Sequence, residues 1–178
     1  YGETRVVAPM GKPARSDGTV TYRTRTADHE LTVVVRDAYC TNAMSGKPFP
    51  KTVEVTLDRD SFDGCGGDSA ALLTGPAWQV RTLNGEALPE DGNPTLAFAE
   101  DGRVSGYDGC NRFHGRYAIT GIGVSFSALA ATRMACPPDS LDGVFMRDLQ
   151  RVVSFFVEAD SLYLELPYDS GTMKFSAP

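Results

Sequence analysis

Gly109-Cys110-Asn111-Arg112-Phe113-His114-Gly115-Arg116-Tyr117, followed by Thr132-Arg133-Met134-Ala135-Cys136, is the stretch from which the rest of this chain can be read. Each run sets one cysteine among amide and cationic side chains. Four cysteines, Cys40, Cys65, Cys110 and Cys136, fall two to each half of the 178 residues. Three full pairings are open, and the distribution makes Cys40–Cys65 and Cys110–Cys136 the local choice. None of the four forms a C-x-x-C. With only His29 and His114 as imidazoles, a structural zinc site would draw ligands from both halves, so disulfides are preferred to metal ligation or free thiols. Disulfides imply an oxidising compartment, and loops of this size contribute roughly 3 kcal/mol each in the chain-entropy model.

Outward from these runs the residues read as strands. Candidates are Trp78–Leu83, Thr95–Ala99, Arg103–Tyr107, Gly115–Thr120 and Val124–Ser127, with Asp101-Gly102 as a turn, and an antiparallel meander is the simplest arrangement. From Ser140 the period changes. Leu141, Val144, Phe145, Leu149, Val152 and Val153 recur at spacings of three and four after Pro138-Asp139-Ser140, which predicts an amphipathic helix over 140–153. Asp142, Arg147, Asp148 and Arg151 are expected to solvate its polar face. Phe155–Glu158, Leu162–Leu166 and Thr172–Phe175 return to strand character. One helix in a mostly antiparallel sheet means α+β.

The N-terminal half predicts a hairpin, Thr19–Thr26 with Leu31–Val35, then an irregular loop holding Pro48 and Pro50. A third strand at 52–58 should bury Val53, Val55 and Leu57. Small residues with Gly75 and Pro76 mark 68–76 as a linker. The domain reading is therefore 1–67, a small β-rich domain stapled by a disulfide; 68–76, the linker; and 77–178, the second domain.

From about Gly75 to Ala177, the chain resembles the META domain: Trp78 at the head of a strand, Gly106, both cysteine runs and the single helix carry the likeness. The resemblance implies a small, partly open barrel closed by the helix. It implies an envelope setting and the heat-inducible or drug-tolerance contexts of HslJ-like proteins, without agreed catalytic chemistry. Residues 1–67 resemble a small domain found beside META domains in bacterial envelope proteins. Cys40, Met44-Ser45-Gly46, Phe49-Pro50 and Gly64-Cys65-Gly66 carry that likeness, with Asn42 where an acidic residue is expected. Such domains usually begin with further strands, which places Tyr1 inside a domain whose start is missing.

A net charge of −6 and a pI near 4.9 argue against nucleic acid, whose affinity comes from clustered Lys and Arg. Residues 1–74 carry 9 Lys+Arg against 10 Asp+Glu and residues 75–178 carry 8 against 13, so the acidity, −5 against −1, lies in the second half. No apolar run reaches the length of about 18 that would suit a transmembrane segment, and Tyr1–Arg5 lacks signal-peptide order, which reads as a mature or trimmed chain.

Catalytic constellations are thin. No G-x-S-x-G occurs, and the two histidines fall in different predicted domains. A glycan hydrolase would need two carboxylates across a sugar, for which Glu100, Asp101 and Asp108 are the candidates. A Cys110 nucleophile beside His114 competes with the disulfide. Asn111, Arg112, His114, Arg116 and Arg133 concentrate polar and cationic groups around Cys110 and Cys136. In one reading the arginines pair with Asp108 or Glu100 and fix the loop. In the other, Asn111, Arg112, His114 and Arg133 bind an envelope protein, a lipid headgroup or a glycan. Trp78, Phe113, Tyr117, Phe126 and Phe155 read as core, although a partly open barrel can leave a groove. The reading reached is a non-enzymatic binding module of the bacterial envelope, periplasmic or an outer-membrane lipoprotein, acting in stress or drug tolerance with no cofactor and no metal. The alternatives are an inhibitor of an envelope-targeting hydrolase such as lysozyme, and a glycan hydrolase.

Overall fold

The computed structural model describes residues 5–75, 77–89, 93–121 and 123–177. The N-terminal residues before Arg5 and Pro76 of the expected linker lie outside them. The chain divides into two compact units, one running to Met44 and resuming over Phe49–Asp68, the other comprising Ser45–Pro48 and the residues from Ser69.

The first unit is a five-stranded antiparallel sheet in sequence order: β1 (Ala14–Ser16), β2 (Thr19–Arg25), β3 (Glu30–Thr41), β4 (Pro48–Leu57) and β5 (Asp60–Gly66). The expected hairpin is β2 and β3, with Val20 opposite Val35 and Tyr22 opposite Val33. The expected loop around Pro48 and Pro50 is instead the start of β4, consistent with the tolerance of proline at a strand's beginning. Val53, Val55 and Leu57 are half-buried rather than core. Cys40 is bonded to Cys65, with Cα atoms 5.5 Å apart, tying the end of β3 to β5.

The second unit holds β6 (Trp78–Leu83), β7 (Glu86–Ala87), β8 (Thr95–Phe98), β9 (Arg103–Tyr107), β10 (Arg112–Thr120) and β11 (Gly123–Ala131). Helix α1 (Asp142–Leu149) follows, then β12 (Ser154–Glu158), β13 (Ser161–Glu165) and β14 (Thr172–Ser176). The sheet order is β11-β10-β9-β8-β6-β14-β13-β12, with β7 beside β6. The expected meander is β6-β8-β9-β10-β11, each strand antiparallel to the next, and β12-β13-β14 form a second one that joins it by pairing β14 with β6. The returning C-terminal strand takes the other edge of β6, where its Met173 and Phe175 complete the same buried layer as Val80. The sheet curls into a partly open barrel, and the fold is α+β.

Alternation dictates the core. In β13, Leu162 and Leu164 are fully buried, as are Met173 and Phe175 in β14. Gly106 is required by close approach: a Cβ there would stand 2.0 Å from the Thr95 carbonyl and 2.8 Å from the Phe113 ring. Phe113 then stacks obliquely on Phe145 of α1, ring centroids 5.7 Å apart, seating the helix.

The helix is shorter than 140–153. Phe145 and Leu149 are buried, but Val144 and Val153 are exposed. The three-and-four period runs past the real end because Val153 donates its N–H to the Glu165 carbonyl, already in the register of β12. Val152 is buried as part of that connection. Asp148, expected on the polar face, is 1% exposed: it accepts from the Asn84 side-chain amide (2.9 Å) and the Arg147 guanidinium (3.0 Å), which locks α1 to the β6–β7 turn. That turn needs Asn84-Gly85, both at positive φ, the pairing favoured in a type I′ hairpin.

Candidate functional site

The two cysteine runs meet at one place. Cys110 is bonded to Cys136, Cα atoms 5.7 Å apart, which brings the segment after β11 against the β9–β10 loop. That loop is shaped by Asp108, whose Oδ1 accepts from the N–H of Cys110 (2.9 Å) and of Asn111 (2.6 Å), an Asx turn in a fully buried carboxylate. Asn111, also buried, then reaches across. Its Oδ1 accepts from the Thr132 hydroxyl (2.9 Å) and the Met134 N–H (2.8 Å), and its Nδ2 donates to Cys136 Sγ (3.1 Å). Thr132 returns two contacts to Arg112: its hydroxyl accepts from the Arg112 N–H (3.3 Å) and its own N–H donates to the Arg112 carbonyl (3.0 Å).

Beside this network lies a cleft of about 660 Å³, within the size range of about 300–1,000 Å³ common to ligand pockets. Leu129, Thr132, Arg133 and Met134 line it from β11 and the segment that follows, and Asp142, Gly143 and Met146 from α1. Asp108, Asn111, Cys136 and the alanines Ala130 and Ala131 complete the lining. Asp142 is itself engaged, accepting from the Ser140 hydroxyl.

Of the four residues predicted to bind, Asn111 and Arg133 reach the cleft. Asn111 does so as a buried brace and Arg133 as an exposed cation. Arg112 and His114 stand instead on the outward face of β10, alternating with buried Phe113 and Tyr117 and continued by Arg116. His114 faces Ser105 on β9 and Ala130 on β11. The expected pairing of these arginines with Asp108 or Glu100 is not the arrangement found, since Asp108 is taken by backbone amides. Arg116 instead acts on Asp101, whose carboxyl is held below the usual range by the Arg103 N–H first, then by the Arg103 guanidinium and the more distant Arg116.

Of the carboxylates considered for glycan hydrolysis, Glu100 and Asp101 precede β9 and Asp108 follows it, at opposite ends of a strand about 17 Å long. Cys110 is engaged in its disulfide. No group of three or more His, Cys, Asp or Glu side chains among the described residues is placed to hold a metal ion. Sequence reading missed Leu129, Met134 and Met146 as cleft residues. Met134 lies inside the second cysteine run and Met146 four residues after Asp142, so the spacing was available, but the direction of each side chain depends on the seam of the barrel. No helix among the described residues is long and apolar enough to cross a membrane. Two disulfides fit an oxidising, non-cytoplasmic compartment.

Comparison with known proteins places this geometry in a family. No curated protein matches the chain in sequence. Among solved structures it is similar to an NMR structure of a protein from Burkholderia xenovorans, at 25% identity and a TM-score of 0.53, covering 65% of this chain and 93% of that one. A second protein solved by NMR is similar at 23% identity and a TM-score of 0.52, covering 62% of this chain and 96% of that one. A DUF4847 family protein from Bacteroides vulgatus ATCC 8482 aligns at 14% identity and a TM-score of 0.47, over 61% of this chain and 96% of that one. The META domain family model matches residues 71–177, which take in both cysteine runs, the barrel and its helix, and the chain belongs to the META domain family.

Proposed function

We propose that this is a non-enzymatic binding module of the bacterial envelope, periplasmic or held at the outer membrane as a lipoprotein, divided at residues 68–76 into two domains and acting in stress or drug tolerance. The observation that carries the reading is the mounting of Arg133. It projects at a cleft of about 660 Å³ from a segment braced by the Asn111 side chain and the Cys110–Cys136 bond. A braced surface loses less conformational entropy on binding than a mobile loop. A cation is also conspicuous in a half of the chain whose net charge is −5 by the count above, since scattered carboxylates create no anion site. The outward-facing Arg112 and Arg116 extend the positive surface along β10. Membership in a family with an envelope setting and no agreed catalytic chemistry supports the same reading.

The experiment is native mass spectrometry of the full-length protein extracted from its own envelope, comparing the native chain with the Arg112→Ala/Arg133→Ala variant. A bound lipid, glycan or protein present on the first and lost from the second is the expected result. The same bound mass on both, or none on either, contradicts the proposal.

A further inference from the structure

The two edges of the barrel meet unevenly, and the uneven seam leaves a strand edge open. At its start β11 is closed against the approach to β12, where a side chain on Gly123 would stand 2.2 Å from the Val153 carbonyl. At its other end β11 has no neighbouring strand beyond it among the described residues, and the space there is the cleft beside α1. Thr132 spends its N–H on the Arg112 carbonyl, and Ala131 faces Phe113 in the register of β10. Successive residues of an antiparallel strand turn their backbone groups to opposite sides. Ala131 therefore presents its N–H and C=O away from β10, toward the cleft it lines. A bulge just before it marks where the strand is re-aimed: the register shifts between His114 and Arg116, and Ala128 adopts a φ of 50°.

The side chains around that edge are of three kinds. Leu129, Met134 and Met146 are apolar, and Met134 is largely exposed. Asp108 and Asp142 already accept hydrogen bonds from within the chain. Arg133 has no ion-pair partner among the described residues.

We infer that the cleft takes an extended polypeptide segment of a partner protein, added to β11 as a further strand. An apolar side chain of the segment rests on Met134 and Met146, and a carboxylate, from an acidic side chain or a C-terminus, meets Arg133. This rests on the binding reading above and names the class of partner. Strand addition supplies main-chain hydrogen bonds for affinity, while alternate side chains give selectivity. Methionine adapts its shape to different apolar side chains. A lipid headgroup or glycan would use Arg133 but has no need of the Ala131 backbone.

The probe is a peptide selected on the full chain from a phage-displayed random library, synthesised and measured by calorimetry. Ala131→Pro removes an N–H that faces away from β10, so the ladder to β10 remains. It is expected to melt close to the native chain and to weaken the peptide about tenfold or more. Arg133→Ala should weaken only peptides bearing a carboxylate, and the shifted amides should be those of Leu129–Met134. Failure to select any peptide overturns the inference, as does equal affinity for Ala131→Pro or displacement of the peptide by vesicles of anionic phospholipid with equal effect on both chains. Should Ala131→Pro not fold, slowed hydrogen exchange of the Ala131 amide on adding peptide to the native chain supports the inference and unchanged exchange overturns it. In cells, tolerance lost with Arg133→Ala but kept with a folded Ala131→Pro sinks strand addition and leaves the binding reading standing. Tolerance kept with both sinks the binding reading too, and loss with both supports strand addition.

Discussion

The side-chain carbonyl of Asn111 accepts the backbone N–H of Met134 at 2.8 Å, so an interior amide of one strand's loop holds the segment that carries the cleft's cation. The same side chain reaches Cys136, and its loss would leave the Met134 amide and the Thr132 hydroxyl without their acceptor. Asn111→Ala should therefore destabilise by about 1–3 kcal/mol. It should also speed hydrogen exchange at Met134 before global unfolding. Unchanged melting with unchanged exchange would show that the disulfide alone holds the segment.

The helix offers a paired test of the core. Phe145→Ala removes a fully buried ring packed on Phe113 and should cost about 3–5 kcal/mol by leaving a cavity. Val144→Ala, one residue away on the exposed face, should stay within about 0.5 kcal/mol. Denaturant midpoints at equal slope read both, and similar losses would mean that the helix face is wrongly set.

How much of this was legible beforehand differs by residue. Strand existence was, because alternation in Leu162–Leu166 or Trp78–Leu83 is a local signal. The pairing of β14 with the other edge of β6 was not, since pairing across such a separation leaves no mark in either segment alone. Val144 and Phe145 satisfy the same helical spacing, and only the position of Phe113 decides which is buried. Asp148 looked solvating because its partners are remote or unremarkable: Asn84 lies 64 residues away, in a turn, while Arg147 and Arg151 are ordinary helix neighbours. Cys110–Cys136 was the local pairing, but the brace from Asn111 depends on where the second run lands.

Asp148 carries its own prediction. Asp148→Ala strands the Asn84 amide between α1 and the β6–β7 turn and should cost about 1–3 kcal/mol, whereas Asp142→Ala at the cleft mouth should cost less. Thermal melting of the two variants decides the order, and the reverse order would remove Asp148 as the lock.

In the first unit, Asp58 accepts from the His29 ring (2.7 Å) and the Glu30 N–H (2.8 Å), and these bonds, the His29 one foremost, hold its carboxyl below the usual range. A carboxyl depressed in the folded state adds stability above its unfolded value of about 3.9, and that stability is lost as pH falls through the lower folded value. Acid melting of the native chain should therefore show a loss below about pH 4 that is smaller in Asp58→Asn. An identical acid limb in both would show that the contact contributes nothing.

The binding account stands most directly on tolerance measured in cells carrying the full-length protein with Arg112→Ala and Arg133→Ala, beside thermal melting of the same variant. Both side chains are exposed, so the account predicts melting close to that of the native chain with tolerance lost. Strongly lowered melting would make the arginines structural, and unchanged melting with unchanged tolerance would leave the surface idle; either result contradicts the account.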